Sequence, residues 1–275
     1  LELYQLTGDT SWQKVVEGIL NYVRRDMTHP DGGFYSAEDA DSTDPETGEH
    51  AEGAFYVWTA EEIREVLDEE AALFIRHHGA EETGNVSPAN DPHREFRGKN
   101  ILVGRASIEE TAKAFSMEVK AAYDSIERSR KALFHHREAR PRPHLDDKVI
   151  TAWNGLMISA FARAYRVLGH AADLNAAISA ADFIRNHLWD SEARRLYRHY
   201  RGSRSAIQGF CEDYAYLIQG LIDLYESGGD LQWLNWAFHL QAVQDELFWD
   251  DVGGGYFDSV ANDPSVILRL KEDYD

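Results

Sequence analysis

The chain has 275 residues, 43% of them hydrophobic and 28% charged, ample material for a large core. Its formal net charge of −20 works against phosphate backbones and anionic membranes as partners, and leaves neutral or cationic small ligands and metal ions. The single cysteine, Cys211, excludes an internal disulfide, and no apolar run is long enough to span a membrane, so a cytoplasmic protein is expected.

In chain order the sequence predicts a repeat. Gly8-Asp9 opens a helix carrying Trp12, Val16, Ile19, Val23 and Met27, a spacing that marks one buried stripe. Gly32-Gly33-Phe34-Tyr35 closes it, the two glycines supplying left-handed or closely approaching backbone for the turn from helix to strand. Phe34-Tyr35 is expected to pair with Phe55 to Trp58 across the acidic loop Thr43 to Gly48. Thr59 and Glu62 make a capping box, so a helix runs from there to about Leu67. Gly84 to Gly98 reads as a loop, Asn100 to Val103 as a short strand, and Ser107 as the start of a long helix reaching about His135. Arg140-Pro141-Arg142-Pro143-His144 forces an extended approach to the next helix.

Val149 to Leu168 places Trp153, Leu156, Phe161 and other apolar residues around most of its circumference, as a helix buried on nearly all sides does. Gly169-His170 opens a second amphipathic helix, closed by Leu196-Tyr197, and Leu196 to Tyr200 pairs with Ala206 to Phe210 across Gly202-Ser203. Tyr214 to Tyr225 is a second helix apolar on nearly all sides. Gly229-Asp230 opens a third amphipathic one, closed by Gly254-Gly255-Tyr256-Phe257. Tyr256 to Val260 then pairs with Val266 to Leu270 across Asn262-Asp263-Pro264. From Gly8 to Phe34, Gly169 to Leu196 and Gly229 to Tyr256 the separations are 26, 27 and 27 residues. Outer amphipathic helices alternating with buried inner ones predict an all-α fold, an (α/α) toroid of helix hairpins with small β-hairpin excursions. Residues 1–275 are expected to form part of one such domain, and both ends, Leu1 and Asp275, to be cut from a larger ring.

Inner helices of a toroid run parallel, so their N-termini gather at one mouth. The acidic runs Glu38-Asp39-Ala40-Asp41, Asp146-Asp147-Lys148, Glu212-Asp213-Tyr214 and Glu272-Asp273-Tyr274-Asp275 would ring that mouth. Carboxylates there can accept from the hydroxyls of a polyhydroxylated ligand, or act as general acid and base across a glycosidic bond. The simpler reading is helix capping, worth about 0.3–1 kcal/mol each, although doubled carboxylates exceed what a cap requires. The expected proton-transfer residues are Asp146, Asp147, Glu212 and Asp213, with His144 as a further candidate. The expected ligand-binding residues are Glu38, Asp39, Asp41, Glu272 and Asp273, with Trp58, Trp153, Asn154 and Tyr214 supplying ring faces and a polar contact. An EF-hand is excluded, since it needs Gly at Asp44 and Glu at His50. A different divalent-ion geometry at Glu38 to Asp41 is a separate hypothesis, and no cofactor is called for. His77-His78 and His135-His136 read as surface pairs, and Cys211 beside Glu212 as a thiol of raised pKa.

The runs Gly32 to Ser42, Glu52 to Trp58, Leu145 to Lys148 and Trp153 to Ile158 occur in an order that strongly resembles the thioredoxin-domain-containing proteins related to spermatogenesis-associated protein twenty. The resemblance implies a thioredoxin-like domain with a Cys-x-x-Cys site before Leu1. It also implies a six-hairpin, (α/α)6 toroid similar to N-acylglucosamine 2-epimerases and six-hairpin glycosidases, with its first inner helix before Leu1 and more ring after Asp275. The epimerase relatives use a pair of His for proton transfer, and both cannot be placed on this sequence. The expected function is therefore a carbohydrate-binding or carbohydrate-active toroid, epimerase-, isomerase- or glycosidase-like, with a sugar-like ligand. The alternative is a non-catalytic scaffold or client-binding partner of the thioredoxin-like domain, with carboxylates engaged as caps and an apolar funnel.

Overall fold

A computed structural model describes residues 1–45, 47–261 and 266–271. The chain divides into two compact units, Leu1–Ala37 with Asp146–Asp275, and Glu38–Leu145. Among the described residues the α-helices are α1 (Glu2–Thr7), α2 (Thr10–Asp26), α3 (Ala60–Leu67), α4 (Ala71–His78), α5 (Ile108–Ala114), α6 (Val119–Arg137), α7 (Thr151–Leu168), α8 (Ala171–His187), α9 (Cys211–Gly228) and α10 (Leu231–Phe248). None of them is long and apolar enough to cross a membrane.

In the first unit α7 and α9 form the inner layer and run parallel. At their N-terminal ends Asp213 accepts a hydrogen bond from the Ala152 amide, and at the other end Ser227 Oγ donates to the Ala162 carbonyl, 2.9 Å away. The helices touch backbone to backbone because two glycines face each other at the crossing. A Cβ on Gly155 would lie 2.5 Å from the Leu217 amide nitrogen, and one on Gly220 would lie 2.5 Å from the Gly155 carbonyl oxygen. Helices α8 and α10 turn back after Gly169 and Gly229 and bury Phe183, Ile184, Trp233 and Leu240. The fold class is the expected one, all-α and built from the helix hairpins of an (α/α) toroid with β excursions of two or three residues. Gly32 (φ 111°) lies against the Ser179 backbone and Gly33 against Phe183, so both expected roles of this pair are used.

The burial of the helices departs from the sequence expectation in two places. Trp153, on the inner helix α7, is 52% exposed, and Leu156 on α7 and Tyr216 on α9 are exposed too, so each inner helix keeps an open stripe. On α2 it is Leu20 and Val23 that are buried, while Trp12 and Ile19 lie 40% and 54% exposed. The excursion after Leu196 pairs as expected: Tyr197 bridges Gln208, and the Arg198 amide donates to Ile207. The later one closes through the Asp258 amide on the Leu270 carbonyl, its turn Asn262-Asp263-Pro264 lying outside the described residues.

In the second unit the Thr59–Glu62 capping box starts α3, and α4, which the sequence reading passed over, follows a single turn of 3-10 helix. The long helix expected from Ser107 is two helices. Ser116 adopts a left-handed conformation (φ 52°) and the Met117 amide bonds back to the Ala112 carbonyl, which ends α5. The expected strand at Asn100 is one bridge to Trp58, and Phe34 bridges Thr28 instead of pairing toward Trp58. The hairpin across the acidic loop joins Asp41–Thr43 to His50–Glu52. His78, expected at the surface, is buried and stacked on Phe74, with ring centroids 4.0 Å apart. It ends an apolar helix whose core face is Leu73 and Phe74.

Candidate functional site

The carboxylates proposed for proton transfer all carry cationic or amide partners. Asp213 is fully buried and accepts from the Ala152 amide (3.0 Å), the Phe210 amide (2.9 Å) and Arg198 Nη1 (3.0 Å). Burial pushes its carboxyl pKa up, while Arg198 and the two amides oppose that shift. Glu212, one residue earlier and exposed, pairs with the same Arg198 nitrogen at 2.5 Å. Asp146 lies 2.8 Å from the Lys148 ammonium, which holds its carboxyl below the usual range. Asp147 pairs with Arg201 at 2.6 Å. Asp213 is thus the staple that brings the starts of α7 and α9 together, a position from which it cannot reach solvent.

Several expected ligand contacts are interior struts. Tyr214 is buried, and its hydroxyl accepts from the Leu196 amide at 2.9 Å. Asn154 is buried with its amide clamped on Phe34, accepting from Phe34 N–H at 2.7 Å and donating to Phe34 O at 2.9 Å. Trp58 is buried in the second unit beneath the Arg140 guanidinium, 4.1 Å from the ring centroid, and the same guanidinium donates to the Phe55 and Val57 carbonyls. Each is expected from the sequence as a surface for a ligand, and each is closed to one because its polar or aromatic group completes the core around it. Of the ring faces chosen, Trp153 is open.

In the second unit Glu38 accepts from the Tyr56 hydroxyl at 2.8 Å, Asp39 accepts from the Asp41 amide, and the exposed His144 offers its carbonyl to the Asp39 amide. Among the described residues no three His, Cys, Asp or Glu side chains gather as a metal site, so Glu38 to Asp41 form a hydrogen-bonded loop. Glu272 and Asp273 lie outside the described residues. The Cys211 thiol is half-buried and pushed up by that burial, with Asp258 and Glu212 adding to it.

A polar stripe that the sequence reading missed runs along the inner layer. Glu212, Tyr216, Gln219, Asp223 and Glu226 recur on α9 at spacings of four, three, four and three, which places them on one face. Asp223 accepts from Ser159 Oγ of α7 at 2.5 Å and from Gln219 Nε2 at 3.1 Å, and Arg166 of α7 reaches Glu226 at 2.5 Å. This face lies opposite the glycine crossing's buried partners Leu217, Leu221 and Leu224, and it presents Glu212, Gln219, Glu226 and the exposed Tyr216 ring together, with Asp223 buried beneath them. The heptad-like polar spacing was visible in the sequence, masked there by the apolar residues interleaved with it.

No protein-family model matches the chain. Human spermatogenesis-associated protein 20 is 43% identical over 294 aligned residues, covering 100% of this chain and 37% of that protein, and the rat protein of the same name is 42% identical with the same coverage. The solved structure of a D-mannose isomerase aligns at a TM-score of 0.38 and 12% identity, over 94% of this chain and 74% of that one, a likeness too distant to bear on chemistry. The chain spans 37% of the length of the curated relatives it matches. Its full-length match at this identity bears out the resemblance carried by the Gly32, Glu52, Leu145 and Trp153 runs: the chain belongs to the family of spermatogenesis-associated protein 20.

Proposed function

We propose that the inner-layer face of α7 and α9 binds a polyhydroxylated, sugar-like ligand, and that its chemistry is recognition without a glycosidase's carboxylate pair. The observation that supports this is the stripe of Glu212, Tyr216, Gln219, Asp223 and Glu226, a polar face with one exposed ring where a purely structural inner helix would be apolar. Gln219 can exchange hydrogen bonds with hydroxyls, Glu226 accepts from them, and Tyr216 offers an apolar face to a pyranose ring, while the buried Asp223 positions Gln219 and Ser159 behind them. A two-carboxylate reaction needs one acid and one base free to act. Asp146, Asp147, Glu212 and Asp213 are instead paired with Lys148, Arg201 and Arg198.

The test is a thermal-shift titration of the full-length protein with mono- and disaccharides, repeated on Tyr216→Ala and Gln219→Ala. A ligand at a hundredfold excess over Kd stabilises by about 2.7 kcal/mol. The expected outcome is stabilisation by one sugar class that both variants lose. A shift retained in both variants refutes this placement. A second reading, a scaffold beside a thioredoxin-like domain, is favoured by the engagement of the N-terminal carboxylates as caps and ion pairs, and it predicts no shift with any saccharide.

A further inference from the structure

The stripes of α7 and α9 match rung by rung. On α9 Tyr216, Gln219, Asp223 and Glu226 follow one another at spacings of three, four and three, and on α7 Leu156, Ser159, Arg163 and Arg166 repeat those spacings. The two helices run parallel, and Gly155 meets the backbone of Tyr216 and Leu217, so Leu156 and Tyr216 stand level on one face of the crossing. Two contacts further along fix the register: Ser159 Oγ donates to Asp223 at 2.5 Å, and Arg166 reaches Glu226 at 2.5 Å.

The rungs differ in kind. The later three hold Ser159 with Gln219, Arg163 with Asp223 and Arg166 with Glu226, side chains tied by hydrogen bonds and ion pairs, with Arg163 reaching Glu2. The first rung carries no charge on either helix. Leu156 is 48% exposed and Tyr216 40%, and the Tyr216 hydroxyl makes no hydrogen bond among the described residues. Trp153, three residues before Leu156 and also exposed, carries the apolar end one turn further toward the start of α7. A single exposed leucine signifies nothing, because apolar atoms cover much of any protein surface. Here a leucine and two rings gather at one end of a face whose other end is polar, the division an amphipathic ligand requires.

We infer that the ligand of this face is a glycoside with an apolar aglycone. Its hydroxyls meet Gln219 and Glu226, its sugar ring lies on Tyr216, and its alkyl or aryl group runs over Leu156 toward Trp153. Leu156 is thus a specificity-determining residue, favouring ligands that carry such a group. This inference rests on the sugar-binding reading above and narrows its ligand class.

Isothermal titration of the full-length protein with the methyl and hexyl glycosides of glucose, galactose and mannose, each below its micelle-forming concentration, separates the two claims. A methylene fully withdrawn from water tightens binding about fourfold, so the longer chain on a half-open wall should lower Kd about tenfold or more for the sugar that binds. Leu156→Gln should bring the hexyl and methyl values to within about threefold of each other, and Leu156→Ala should fall between that and the parent. Phe238→Gln, at an exposed position of the outer helix α10, should leave the ratio as in the parent. Equal Kd for the hexyl and methyl forms, or a hexyl advantage that survives Leu156→Gln, overturns this inference and leaves the sugar site standing. Absence of binding by every glycoside overturns the sugar-binding reading and this inference with it.

Discussion

Asp213 gives the sharpest test of whether the acidic runs serve structure or chemistry. Asp213→Ala removes the acceptor for the Ala152 and Phe210 amides and leaves Arg198 with Glu212 alone. Breaking one side of a buried ion pair costs about 3–5 kcal/mol, and each buried amide left unsatisfied about 1–3 kcal/mol. These terms overlap, and Glu212 recovers part of the charge interaction, so about 4 kcal/mol is expected, a large share of a typical stability of about 5–15 kcal/mol. Asp213→Asn keeps one carbonyl acceptor and should lose about half as much. Glu212→Gln, at an exposed pair, should change stability by less than about 1 kcal/mol. Urea unfolding of the three variants, followed by far-ultraviolet circular dichroism with m held in common, reads these differences. An Asp213→Ala protein within about 1 kcal/mol of the parent, or a Glu212→Gln protein that loses as much as Asp213→Ala, would refute the staple.

Two further outcomes follow from the packing. Gly155→Ala should lose about 2 kcal/mol in the same unfolding assay: overpacking of about 1–3 kcal/mol or more, because the new Cβ meets backbone of α9, outweighs the roughly 1 kcal/mol of helix propensity gained. An unchanged or raised midpoint would show that α7 and α9 do not touch there. His78 is held neutral by burial, its pKa lowered to about 4. Because the folded value lies below the ordinary 6.5, its contribution is fully present above about pH 6.5 and lost as pH falls toward 4, by roughly 2 kcal/mol. His78→Gln should flatten that acid slope in melting temperature between pH 6.5 and 4, and a slope unchanged in the variant would count against the assignment.

The hairpin architecture was legible in the sequence because its signals are local. Apolar spacing on α2 and α8, the glycines at 8, 169 and 229, and the Thr59–Glu62 and Ser107–Glu110 boxes act within a few residues of one another. The break at Ser116 was not legible, since a left-handed serine there follows from how α5 and α6 pack and no Gly or Pro announces it. The site was read less well than the fold. Clustered carboxylates look the same in a sequence whether they face a ligand or an arginine, and the arginines that claim them, Arg198 and Arg201, arrive from a β excursion about fifty residues beyond Asp147. Likewise Asn154 and Gly155 stand out as motif residues, but only the tertiary contact with Phe34 and with the α9 backbone shows that they clamp and admit neighbouring chain.

The sequence by itself determined the helix hairpins of the first unit and the family, because periodicity, caps and turn glycines are written along the chain. The tertiary structure alone decided which polar groups are buried partners and which are open, because burial depends on what arrives from distant positions. Its assignments are Asp213 to a strut and α9's polar stripe to a face.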